Sequence, residues 1–407
     1  MKTLIKIAWR NLWRNRRRTL LTVASVVLAL VLALFMRSMQ LGSYEQMIKA
    51  GVNQVGYLQI HSKGYWEEQS IDRAFFDKDS IDAALKSTSG ISKTLPFLQT
   101  FSLASYGNLT KGVLVDGIKP DKEDSQTNLS GKIVKGDYLT KSEHSVIIGD
   151  KLAQYLKMDV GDSLVLIGQG FRGITAYGIY PISGIFHLPS LQMNSQLVYM
   201  NLKDAQAFVY PYQEGLLTGI SVFLNDPDHL PQVKKSLLTK LGKHYEATSW
   251  KVMLSDILQA IEVDNVSGEL MLFILYIVVA FSIFSTILMM TMERSKQYSV
   301  MISVGMQRWQ LVLVSMIETV IISLLGVLIG LLIISPVLYY FHENPIPLAG
   351  SMADLYLQFN IKPVLPFSVK PHIFASQTTI IFILSLVSVL YPVVFISRFN
   401  ILNASRH

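Results

Sequence analysis

Few residues in this chain could do chemistry, and most fail on spacing. Gly168–Gly173 reads GQGFRG, formally G-x-G-x-x-G. A dinucleotide site needs a helix directly after it, so that the helix N-terminus faces the pyrophosphate. The next residues are ITAYGIYPISGIF, strand-like and broken by Gly and Pro, so a hairpin turn is expected. There is no G-x-x-x-x-G-K-S/T loop, H-x-x-x-H or H-x-x-E-H pair, or G-x-S-x-G elbow. His61, His144, His187, His229, His244, His342, His372 and His407 are scattered, and there is no cysteine to act as nucleophile, disulfide partner or thiolate ligand. Acid pairs such as Glu67 and Glu68 read as a solvated face. The chain is expected to be non-catalytic and to bind no cofactor or metal itself.

Three polar or glycine features stand out because apolar sequence surrounds them. Glu318 lies inside a long apolar run. A charge in lipid is costly, so it must face other helices, pair or protonate, or else reach headgroup water near the interface. Gly326 and Gly330, in GVLIG, form a G-x-x-x-G pair that lets helices approach closely. Glu293–Gln310, ERSKQYSVMISVGMQRWQ, sits between two apolar runs. Its Tyr298, Met301, Ile302 and Gly305 fall at i, i+3, i+4 and i+7, one apolar face of a short helix. Such a helix is either an amphipathic connector or a docking surface for a cytoplasmic partner.

The elements that position these residues follow from hydropathy. Half of the 407 residues are hydrophobic, too apolar for an ordinary soluble protein. Four runs, Leu20–Met36, Leu270–Met292, Leu311–Tyr340 and Ile373–Ile396, reach the roughly 17–25 residues that cross a bilayer. The first is expected to be an uncleaved anchor, because no small-x-small cleavage site comes after it. Pro336 and Pro392 lie near run ends and are placed to kink them. The net charge of +7 is not a nucleic-acid footprint: the first 19 residues hold seven basic and no acidic residues, whereas 41–269 holds 21 basic and 25 acidic. Basic residues beside apolar runs are the positive-inside signature. They assign the amino terminus, the 293–308 loop (Arg294, Lys296, Arg308) and the tail (Arg398, Arg406) to the cytoplasm of a bacterial inner membrane.

The expected fold is thus an α-helical membrane protein with four transmembrane helices plus a large mixed α/β extracytoplasmic domain. Its segments are 1–19 amphipathic, 20–40 first span, 41–269 outside domain, 270–292 second span, 293–310 coupling loop, 311–340 third span, 341–372 outside loop, 373–397 fourth span and 398–407 tail. In 1–19, Leu4, Ile5, Ala8 and Leu12 share a stripe, and Trp9 and Trp13 suit headgroup depth; an interfacial helix and a merely topogenic basic segment both fit. Outside, VGYLQIH alternates like a strand. SVIIGDKLAQYLKMDVGDSLVLIG reads strand, helix, turn, strand, and ISVFLNDPDHLPQVKKSLLTKL reads strand, then helix.

Taken together these segments resemble the FtsX-like permeases, the membrane subunits of type VII (MacB-like) ABC transporters. The family's loop pattern E-R-x-x-E-I-G-x-x-x-A-L-G is met by Glu293, Arg294 and Gly305, and departed from at Gln297, Ser299 and Ser303. Ala8, Arg10, Asn11, Leu12, Arg14, Arg18, Thr19, Leu21 and Thr22 match its amino-terminal segment; Glu318 and Gly326 fit its third span. Pro392, Arg398, Ala404 and Arg406 fit its tail, where Ile401 replaces a Pro. VGYLQIHSKGYWEE is most similar to the LolC/LolE lipoprotein-releasing branch.

The resemblance implies a mechanism. Two permease chains pair, as a homodimer or heterodimer. Two copies of a cytoplasmic ABC ATPase, which carries the ATP and Mg, dock on Glu293, Arg294, Lys296, Gln297, Tyr298, Met301 and Gly305. Glu318, Gly326 and Gly330 serve intramembrane packing or gating. Lipoprotein cargo would meet acyl-contacting residues such as Leu34, Phe35, Leu272 and Phe273, and leave with a periplasmic carrier. Activation of a cell-wall hydrolase, export of another substrate, and a ligand-sensing receptor are the alternative functions. Membrane lipid is a partner, nucleic acid is not.

Overall fold

The computed structural model describes residues 2–14, 16–139, 144–188, 191–351, 353, 356 and 362–397. The tail residues Arg398, Ile401, Ala404 and Arg406, and the segment 398–407 as a whole, lie outside them, as does the side chain of Lys296. The chain forms two compact units. One comprises residues 1–45, 260–347 and 364–407, the other 46–259 and 348–363. The second unit takes in residues 46–259, within the 41–269 expected for the outside domain. The helices that enter and leave it are longer than their apolar runs, and part of the 341–372 loop groups with it.

The first unit is helical. Lys2–Arg14 is a short helix, followed by Arg16–Val55, whose residues to Glu45 belong here. Four described helical stretches are long and apolar enough to cross a membrane: Thr19–Val55, Ser255–Glu293, Arg308–Glu343 and Pro371–Ile396. The fourth is not continuous. Pro371–Val387 and Leu390–Ser397 are separate helices, since Pro392 has no N–H to give Ser388, four residues back. Pro336, by contrast, is accommodated within Arg308–Glu343. The helices alternate in direction. Thr22 bonds Met290 Sδ (3.7 Å) while Arg37 bonds Asn265 (2.8 Å), so the first two run antiparallel. Leu311 packs with Ile396 at one end of the last two, and Phe341 stacks on Phe367 at the other. The core between them contains Val26, Leu30, Ile283, Val327, Ile334 and Ile381. Outward faces carry exposed Leu28, Phe281 and Leu332, as suits a lipid solvent.

The second unit is a mixed sheet with helices. Its strands are β1 (Leu58–Ser62), β2 (Phe75–Phe76), β3 (Ile91–Tyr106), β4 (Leu109–Ile118), β5 (Ile133–Gly136) and β6 (Val146–Gly149). They continue with β7 (Ser163–Gln169), β8 (Thr175–Phe186), β9 (Leu197–Asn201), β10 (Leu216–Leu217), β11 (Gly219–Leu224) and β12 (Tyr245–Ser249). The main sheet runs β12-β1-β11-β3-β4-β9-β6-β8-β5, with β7 bridging β3 and β8. That bridge closes β3-β4-β9-β6-β8-β7 into a six-stranded ring without free edges. Ala104, Val113, Val115, Ile148, Leu164, Leu166 and Val198 fill it. GQGFRG is the β7–β8 turn, as its sequence indicated: Arg172 takes φ 59° and Gly173 φ 76°, and strand β8 rather than a helix comes next. The strand, helix, turn, strand reading of 145–168 and the strand-then-helix reading of 220–241 both hold, as β6, Asp150–Leu156 and β7, and as β11 and Leu230–Leu241.

Candidate functional site

The segment between the second and third long helices folds as three local signals require. The second helix ends at Glu293, Arg294 caps the next helix, Ser295–Ser303, and Gly305 stops it. Gly305 sits at φ 100°, with its N–H on Ile302 O (3.0 Å) and the Met306 N–H on Met301 O (3.0 Å). This pair of bonds, with Met301 and Met306 in the same apolar cluster, is a Schellman stop that favours glycine. Gln307 and Gln310 then form a reciprocal capping box that starts the third long helix. Stop and restart within four residues hold the short helix as a defined element.

Its apolar face is turned inward. Tyr298 is buried with Leu311 and Ile396, and Met301 and Ile302 pack beside them. Burial first, and the Glu318 carboxylate second, push the Tyr298 hydroxyl up to about 12, against the pull of Arg294. It stays protonated at physiological pH. The opposite face exposes Glu293, Val300, Ser303, Val304, Arg308 and Trp309, with Val304 84% and Val300 63% exposed. These apolar residues on a surface that also carries charge were not singled out by the sequence.

Arg294 does not join that exposed face. It is buried and ion-paired with Glu318, also buried, on the third long helix. Asn11 Nδ2 donates to the other carboxylate oxygen (2.8 Å), and Arg294 reaches the Asn11 carbonyl (3.5 Å). Arg14 bonds Gln297 (2.5 Å). Glu318 is therefore enclosed by protein: Arg294 neutralises it and Asn11 hydrogen-bonds it, as a charge buried among apolar helices requires. The amino-terminal helix, the 293–310 segment and the third helix meet at this joint. Leu12, Val23, Met290 and Ile322 close over one side of it. Asn11 lies on the stripe of Ala8 and Leu12, and a polar residue on the buried side of an amphipathic helix was its signal.

Deeper in the unit, Gly326 and Gly330 face the first long helix. A Cβ on Gly326 would come within 2.7 Å of Val26, and one on Gly330 within 3.0 Å of Leu30. The two contacts repeat at i, i+4 in the same chain direction, so the first and third helices lie parallel. Of the four apolar residues tied to cargo, Leu34 and Leu272 are enclosed. Phe35 packs on Phe367 at 5.0 Å, and Phe273 is exposed. The inward phase of Leu34 and Leu272 leaves them no surface for an acyl chain in this conformation.

Comparison with known proteins places these features. Residues 19–240 match the MacB-like periplasmic core domain, and residues 269–401 match the FtsX-like permease C-terminal region. The chain belongs to the FtsX-like permeases with a MacB-like periplasmic core domain. It is a permease of the MacB/LolC type. It is 24% identical over 246 residues to the lipoprotein-releasing system transmembrane protein LolC of Xylella fastidiosa, covering 58% of each chain. With LolC of Haemophilus influenzae it is 21% identical, covering 74% of each. The first of these matches spans less than two thirds of the relative's length. Among solved structures, the periplasmic region of MacB from Actinobacillus actinomycetemcomitans is similar at 14% identity, with TM-score 0.35, over 51% of this chain and 95% of that one. Membership agrees with four membrane-crossing helices and a large mixed α/β domain, and it places this permease in the inner membrane.

Proposed function

We propose that this permease transmits the work of a separate cytoplasmic ATPase through the 293–310 segment to its outer domain, and that this work releases lipid-anchored proteins from the inner membrane. The observation that carries the reading is the Arg294–Glu318–Asn11 joint. A segment that merely linked two spans would not need a buried ion pair, which is expensive to desolvate and strongly penalised when one partner is lost. Here the pair fixes a short helix whose inner face is filled and whose outer face presents Val300, Val304 and Trp309 beside charge. That face suits a groove on an ATPase; ATP and Mg2+ belong to the partner. Cytoplasmic placement of this end is supported by the seven basic residues in the first 19. Similarity to LolC supports lipoprotein cargo.

Docking therefore rests on the exposed residues, with Arg294 holding them in place from beneath. The test is a mild-detergent pull-down of the tagged chain from native membranes, with mass spectrometry of the eluate, for the native chain and for Val300→Asp with Val304→Asp. A P-loop ATPase with the native chain, lost in the variant, is expected. Co-eluting lipoproteins favour release, whereas a murein hydrolase favours activation of cell-wall cleavage. No ATPase in repeated preparations returns the segment to a connector and puts a ligand-sensing receptor first.

A further inference from the structure

The helix Lys2–Arg14 has three arcs: among the described residues the rest of the unit packs on one, and touches the cationic arc at its end, where Arg14 bonds Gln297. Ala8, Asn11 and Leu12 face inward, two of them buried and the third bonded to Glu318. Next to that arc, Ile5, Trp9 and Trp13 fall at i, i+4 and i+8 and are 49%, 47% and 57% exposed. Trp9 and Trp13 meet edge to face at 6.1 Å. Beyond them, Lys6, Arg10 and Arg14 form a third, exposed stripe at the same spacing. Arg16 lies 5.8 Å over the Trp13 ring, which draws a further cation to the edge of the aromatic arc. There is no acidic residue in this helix.

Positive-inside placement alone needs only basic residues near a span, in any order. The observed order is more specific: an apolar, indole-bearing stripe flanked by a continuous cationic stripe on a helix whose inner face is already satisfied. Indole rings favour the depth of the headgroups, and guanidinium groups bond phosphate oxygens with paired donors. We infer that the outer surface of Lys2–Arg14 is a binding surface for anionic phospholipid headgroups, with Ile5, Trp9 and Trp13 inserted at the acyl boundary and Lys6 and Arg10 on the phosphates.

The chain has five tryptophans, so Trp66→Phe, Trp250→Phe and Trp309→Phe leave Trp9 and Trp13 as the emitters. The full chain with these changes is placed in nanodiscs of phosphatidylcholine and phosphatidylglycerol, with the brominated quencher on one lipid or the other at equal mole fraction. Brominated phosphatidylglycerol should quench more strongly than brominated phosphatidylcholine. Near-surface cations contribute about fivefold each to binding of an anionic lipid, so the excess should shrink stepwise in Lys6→Gln and in Lys6→Gln with Arg10→Gln; Arg14, bonded to Gln297, is left in place. Lys2, Arg16, Arg17 and Arg18 keep the terminus cationic in these variants. Salt titration of the chain with both cations in place gives the same readout without touching the helix, and the excess should fall as salt rises. Equal quenching by the two lipids, or an excess that neither salt nor the Gln variants reduce, overturns the inference. Absence of quenching by either lipid overturns it as well, because the indoles would then lie away from the membrane.

Discussion

The Arg294–Glu318 pair makes a sharp energetic prediction. Both side chains are buried, at 4% and 5% residue exposure. Arg294→Met leaves a carboxylate with Asn11 alone, and Glu318→Met leaves a guanidinium whose Nε already has no hydrogen-bond partner. Breaking a buried pair on one side costs about 3–5 kcal/mol. If the two costs were independent, the double variant would lose about 6–10 kcal/mol, comparable to the whole stability of a typical domain at roughly 5–15 kcal/mol. As a pair, they cost little when removed together, because a buried ion pair replaced by apolar side chains of similar volume is often neutral or stabilising. What remains is the lost acceptor for Asn11, about 1 kcal/mol in this partly buried place. The double variant should therefore unfold within about 2 kcal/mol of the native chain, well above either single variant. The assay is a denaturant-driven unfolding cycle on the four purified chains in one detergent, followed by tryptophan fluorescence. A double variant as unstable as the sum of the singles would falsify the direct pairing, and singles without cost would remove the burial argument. Under the proposed function, the restored double variant should still fail to release lipoproteins, since Met at both positions fills the joint without fixing its geometry.

Packing and ionisation set two further outcomes. Gly326→Val should cost about 1–3 kcal/mol, because the first added carbon already lies 2.7 Å from the stiff Val26 side chain. Gly330→Ala meets only the flexible end of Leu30 at 3.0 Å and should cost less; equal costs in the same unfolding assay would mean the two helices are not in this register. In the outer domain, Asp116 on β4 is pushed up to about 7, by burial first and by Glu123 second, with Gln99 pulling the other way. Its Oδ1 has no hydrogen-bond partner, which favours the neutral acid. Because the unfolded carboxyl titrates near 3.9, the folded chain alone holds this proton between about pH 4 and pH 7. The stabilisation is full below about pH 4 and is lost as pH rises through about 7, on the order of 4 kcal/mol in all. Asp116→Asn should flatten the difference in unfolding midpoint between pH 5 and pH 8, leaving the smaller share of Glu123, whose carboxyl is also raised. An unchanged slope in that variant would assign the proton elsewhere.

Much of the fold was legible because period and length are strong signals. Twenty or so apolar residues leave little but a span, and the strand–turn–strand character of 163–186 was visible in its alternation and glycines. What was hidden was where lipid ends and helix does not. Helices Arg16–Val55 and Ser255–Glu293 run well beyond their apolar runs through polar sequence such as QLGSYEQMIKAGVNQV, whose helicity comes from tertiary packing. The candidate site was half legible. Glu318 announced itself by cost, and Gly326 and Gly330 by size. The inward turn of Arg294 was hidden, since nothing in ERSKQYS says which side of a capping residue faces the bundle. The phase of Leu34 and Leu272 was hidden for a related reason: in a helix apolar all round, hydropathy does not distinguish lipid from core.

The outer domain shows how displacement of two helices could be gathered into one structure. The first long helix ends at Val55 and the chain enters β1 two residues later, through Gly56 at φ 84°. The second begins at Ser255, just after β12 and one short helical turn, Trp250–Met253. β1 and β12 are direct neighbours, Leu58 opposite Ser249, and the Trp250 N–H donates to the Tyr57 carbonyl (3.0 Å). Leu254 fills the notch at Gly51, where a Cβ would lie 2.6 Å from it. The two helix ends are thus fastened to each other, so a push on either is delivered at β12-β1, one end of the main sheet. From there the hydrogen-bonded path runs through β11 to β3, whose 16 residues serve both that end of the sheet and the closed ring. A sheet edge on its own would flex and dissipate the push. β3 is the strand through which that edge and the close-packed ring are joined. Under the proposed function, this shared strand is the route by which a shift of the two helix ends would reach the ring.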